Sequence, residues 1–147
     1  MDTRTNFLTK RFLAFFIDTI CAYIFSTFPY FGPLIAASYM LFRDGFEWDF
    51  MRYRSLGKTA MKLKVVMLEG ERKLPDMATS MRRNWILAAP YLVALIPVLG
   101  VILNFFVVPA VSIYEGVKLL KDPAGRRKGD HLANTSVIED NQQDETD

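Results

Sequence analysis

Arg11-Phe12-Leu13-Ala14-Phe15-Phe16-Ile17-Asp18 opens the first apolar run of the chain with a cation and places a carboxylate seven residues deeper in it. Seven residues is close to two helical turns, so both charges lie on one helix face, about 10.5 Å apart along the axis. Arg11 suits a membrane surface. A carboxylate surrounded by lipid costs roughly 2.5–3.5 kcal/mol on insertion scales, so Asp18 is expected to face protein or water and to have a partner.

Working outward, the apolar residues are concentrated rather than spread. They make up 51% of 147 residues, only the high edge for a water-exposed domain, but residues 12–42 hold one acid, Asp18, and no Lys or Arg. Residues 85–114 hold no Asp, Glu, Lys, Arg or His. Runs of this length exceed the roughly 20 residues that cross a bilayer once. The expected class is therefore an all-α membrane protein. Phe28-Pro29-Tyr30-Phe31-Gly32-Pro33 divides the first run, and Pro97-Val98-Leu99-Gly100 divides the second, each with turn chemistry. Each run then reads as a helical hairpin, with four short transmembrane helices at about 10–28, 30–43, 84–97 and 99–117.

Charge placement supports the same topology. All 18 Lys and Arg fall within residues 4–11, 43–83 or 118–128. Four crossings put every one of them on the cytoplasmic side, as the positive-inside rule requires, whereas two crossings do not. The expected location is the cell (inner) membrane, with both termini cytoplasmic. Pro90 and Pro109 should kink the second hairpin. Crossings drawn from such short runs must be short, or one hairpin must be re-entrant.

The central segment, residues 43–84, should form a small cytoplasmic β element. Arg43 to Tyr53 mixes charge with Phe46, Trp48 and Phe50, a composition for the headgroup level. Residues 62–68 end in a β-branched run, and residues 135–138 form a second one. Alone, each would leave an unpaired edge, so they are expected to pair. Glu69-Gly70-Glu71 reads as a turn, and Leu74-Pro75-Asp76 as a helix start. Residues 1–139 make one domain, and the acidic end, 140–147, should be disordered.

Several chemistries are excluded or weak. Cys21 is the only cysteine, so no internal disulfide or cysteine cluster forms. Gly57-Lys58-Thr59 lacks the earlier glycine of a phosphate-binding loop, because position 52 is Arg52. His131 is the only histidine and has no triad or metal-ligand set around it. No cofactor, metal or nucleic-acid partner is expected, nor an enzymatic activity; a lipid-modifying enzyme would need a nucleophile–base set that is missing. Asn104, Ser112 and Glu115 share a helix face and are secondary candidates, for helix–helix hydrogen bonding ahead of a conduction path. The implied partners are the lipid bilayer and either further copies of the chain or a membrane protein.

Arg11, Asp18 and Asp130, together with Ser55-Leu56-Gly57-Lys58, Leu63-Lys64-Val65-Val66 and the stretch from Gly129 to Ile138, resemble the RDD family of membrane proteins, named for one arginine and two aspartates. In many members a histidine precedes the second aspartate; here Gly129 precedes Asp130 and His131 follows. The resemblance spans residues 8–139. It implies a small multi-pass protein, with a transport role of the cation–proton exchange type proposed for some members. On that reading Asp18 is the ion- or proton-responsive group. The alternative is an accessory or scaffold protein that binds a partner and carries no flux. In either case Asp130 is expected to meet Arg11 and hold it over the face leading to Asp18.

Overall fold

The computed structural model describes residues 3–47, 52–68, 74–96 and 99–140, without the side chains of Leu99, Val101, Leu103 and Asn104. In chain order the elements are α1 (Thr3–Ser26), α2 (Gly32–Phe42), α3 (Leu56–Ala60), β1 (Leu63–Met67), α4 (Met77–Val93), α5 (Leu99–Lys121), α6 (Lys128–Leu132) and β2 (Thr135–Glu139).

Among the described residues no helix is long and apolar enough to cross a membrane. This overturns the four-crossing topology, the multi-pass class and the inner-membrane location expected from composition. The physical reason is visible helix by helix. α2 has 11 residues and α4 has 17, short of the roughly 20 a crossing needs. α1 is long enough, but it contains Arg4, Lys10, Arg11 and Asp18. α5 meets Glu115, Lys118 and Lys121 in its second half. Apolar runs that look continuous in sequence are thus cut by turns and by charges that belong inside the helices.

The helices start where local chemistry lets them. Asp76 caps α4, its side chain accepting from the Thr79 N–H at 2.7 Å, so α4 begins well before the apolar run at Trp85. The cap satisfies one of the donors that a helix start leaves open. α2 begins with Pro33 in its first turn, where a missing N–H costs nothing.

α2 packs mainly on α4 and α1, and α5 on α4 and α1. Small residues let them approach: Ala22, Ala36, Ala37 and Ala88 are buried among Phe15, Met40, Leu87, Tyr91 and Val108. β1 and β2 pair antiparallel, with Val65 opposite Val137 and Leu63 opposite Glu139, and the two β-branched runs do close on each other. Leu63, Val65 and Val137 bury one face of this ribbon against Ala14 of α1. A two-stranded ribbon is marginal by itself and needs such a backing.

Trp48, Phe50, the Glu69-Gly70-Glu71 turn, the Pro97-Val98 part of the second turn and residues 141–147 lie outside the described residues.

Candidate functional site: a buried charge cluster

The ribbon, α3 and α6 meet the ends of α1, α2 and α4 in a layer of buried charge. Arg11, Asp18, Arg43, Asp44, Lys58, Arg83, Glu115, Arg127 and Asp130 are all at most 6% exposed. Buried charges persist only when paired and hydrogen-bonded, and here Asp18, Asp44 and Asp130 each have a defined set of partners.

Asp18, from the middle of α1, accepts from the Tyr39 hydroxyl at 2.9 Å, the Ser55 hydroxyl at 2.6 Å and the Gly57 N–H at 2.8 Å. The Arg43 Nη1 lies 3.2 Å from its Oδ2. The partner that the sequence left unnamed is Arg43, from the end of α2. Gly57 is required here. A Cβ at this position would stand 2.0 Å from the Ala14 carbonyl oxygen, so only glycine brings the start of α3 close enough for its N–H to reach Asp18. Ser55 also caps α3, accepting from the Lys58 N–H at 3.3 Å.

Asp44 is the second anchor. The Lys58 Nζ donates to Oδ1, the Asn84 Nδ2 donates to Oδ2 at 3.0 Å, and the Arg83 Nη1 stands 3.7 Å away. Gly57-Lys58-Thr59 therefore serves α3 and this ion pair, in keeping with its failure as a phosphate loop. The third anchor, Asp130 of α6, accepts through Oδ2 from the Arg11 Nη2 at 2.7 Å and the Arg127 N–H at 3.0 Å, and its Oδ1 is ion-paired with Arg83, whose Nε lies 2.7 Å away. The expected meeting of Arg11 and Asp130 is present, but it is one leg of a three-arginine arrangement. Asn84 links the anchors, its Oδ1 accepting from Arg43 at 3.2 Å and Arg127 at 3.4 Å.

Glu115 of α5 is buried, and its Oε2 accepts from the Gly129 N–H at 3.5 Å. Ser112 is half-buried on the same helix, and the side chain of Asn104 lies outside the described residues. His131 sits at the surface, its Nε2 2.7 Å from Asp122. Among the described residues no group of His, Cys, Asp or Glu could hold a metal ion.

The electrostatics follow from crowding. Burial pushes the Asp44 carboxyl upward, but Lys58, Arg83 and Arg43 more than reverse this and hold it well below its ordinary 3.8. Burial likewise acts upward on Asp130, and Arg83, Arg127 and Arg11 pull it far down. Burial lowers Lys58 to about 7 and Arg127 to about 10, against the attraction of Asp44 and Asp130 respectively. Both aspartates have depressed values in the folded state, so the stability they contribute is present above their unfolded value and is lost as pH falls through the folded one. Lys58, held at about 7, makes the thermal midpoint fall slightly as pH falls through 7; the midpoint should then stay level to about pH 5 and drop below that as the aspartates protonate. Asp130→Asn should shallow the drop; an unchanged slope in that variant would contradict the assignment.

Sequence reasoning found Arg11, Asp18 and Asp130 and missed Arg43, Asp44, Arg83, Asn84 and Arg127. Arg43, Asp44, Arg83 and Asn84 border an apolar run, where charge is usually solvated, and Arg127 lies in the basic stretch 126–128. The available signal was the placement of Arg43-Asp44 and Arg83-Asn84 at the facing borders of the two runs. Compared with protein-family models, curated proteins and solved structures, the chain finds no match.

Proposed function

We propose that this chain is an accessory or scaffold protein that works by contact, with lipid acyl chains covering the outer faces of its long helices, and that it moves no solute. The observation that carries the reading is the division of labour between two surfaces. Asp18, the carboxylate that could have handled an ion, spends its oxygens on neighbouring donors, with three hydrogen bonds and an ion pair. The outward faces of α1, α2, α4 and α5, by contrast, carry large apolar side chains. Phe16 and Ile24 of α1, Ile35 of α2, Trp85 of α4, and Phe105, Phe106 and Ile113 of α5 are each at least 45% exposed. At the far end from the charges, Phe28, Tyr30 and Phe31 form an aromatic tip between α1 and α2.

Contiguous exposed apolar surface marks a contact site. A protein partner covers one patch, whereas acyl chains meet every side of a helix group, and this surface faces several ways at once. The reading asks for lipid contact and not for a crossing. A likeness to the RDD family is compatible with it through Arg11, Asp18 and Asp130.

Flotation with phosphatidylcholine vesicles tests the proposal. The purified chain should rise with the vesicles, self-associate without a defined size when lipid and detergent are withheld, and give no cation flux when reconstituted. A homogeneous dimer in plain buffer that leaves the vesicles behind would assign the apolar faces to a second copy and overturn the lipid reading. Cation flux lost in Asp18→Asn would overturn the accessory role.

A further inference from the structure

Within the charge cluster lies a cavity of about 20 Å³, lined by Arg11, Asp18, Arg43, Lys58, Arg83 and Arg127, with apolar side chains closing the rest. Its wall is unbalanced in two respects. Five buried cations face four buried carboxylates once Asp44, Asp130 and Glu115 are included with Asp18. There is also a surplus of donors: Arg11 Nη1, Arg43 Nε and Arg83 Nη2 are buried and have no hydrogen-bond partner among the described residues. A buried donor without an acceptor is unfavourable, and more so when it is charged.

We propose that this cavity binds a monatomic anion of the chloride type. The volume suits one such ion or one water. The two differ in what they resolve. A water accepts two hydrogen bonds and leaves the excess positive charge in place. A halide accepts from several N–H groups at once and cancels that charge. Guanidinium groups suit this role, because each presents five donors and none accepts. Asp18 also lines the cavity, but its oxygens are engaged by Tyr39, Ser55, Gly57 and Arg43. A neutral Lys58 would balance the charges in another way, yet it would leave the three arginine donors unmet.

The test uses the unmodified full chain in one detergent. Thermal midpoints are measured while chloride replaces gluconate at constant ionic strength, so that general screening is held fixed. The midpoint should rise in proportion to the logarithm of chloride above the dissociation constant. Bromide should substitute, and crystals grown in bromide should show one anomalous peak among Arg11, Arg43 and Arg83. Lys58→Met, which removes one cation from the wall, should lose most of the halide dependence; if it does not fold, the bromide peak in the unmodified chain decides. A flat chloride series, or bromide only at the protein surface, would overturn the proposal.

Discussion

Asp130→Ala is expected to destabilise the fold by about 3–5 kcal/mol, the usual cost of leaving buried charge without its partner. Arg11, Arg83 and Arg127 all converge on this carboxylate, and all four residues are at most 4% exposed. Removing it leaves three guanidinium groups in a space that water does not readily enter. For a chain of this size the thermal midpoint should fall on the order of 10 °C. α6 and β2 should loosen first, because Asp130 is what ties the end of the chain to α1 and α4. The control is Lys10→Ala. Lys10 meets Glu139 at 2.9 Å, but both are exposed, and such pairs contribute about 0–1 kcal/mol. Equal effects from the two variants would contradict the role given to Asp130.

The same contrast explains which parts of the structure were legible in advance. Val65-Val66 and Val137-Ile138 announced strands because β-branched runs with turn residues at their ends have few other uses, and their pairing followed from the need to cover edges. Arg11 and Asp130 could be brought together because both sit beside long helices at the charged end. Asp18 was recognisable as a buried carboxylate from its apolar neighbours. Its true partner was not, because spacing along one helix reports only that helix. Arg43 arrives from α2 and Ser55 and Gly57 from α3, and those approaches depend on the alanine-lined packing of α1 on α2 and on the missing Cβ of Gly57. The membrane topology was misjudged for a related reason. Hydropathy counted apolar residues along the chain, while the helices that form are either short, as α2 and α4 are, or carry their own charges, as α1 and α5 do.

Asp18 is where the two readings of the buried charge part most sharply. As an anchor, it accepts from Tyr39, Ser55 and Gly57 while pairing with Arg43. An asparagine fills the same space but turns an NH2 group toward donors and removes the charge that balances Arg43. Tyr39 feels the carboxylate too: burial, and then Asp18, push its phenol well above the ordinary value of 10.0. The most direct measurement is the unfolding free energy of Asp18→Asn against the parent chain in the same detergent. The anchor role predicts a loss of about 3 kcal/mol or more, comparable to breaking a buried ion pair, with the Tyr39 phenol titrating at lower pH in the folded variant. An Asp18→Asn protein as stable as the parent would contradict it, because a carboxylate that can be neutralised without cost is not what holds α1, α2 and α3 together.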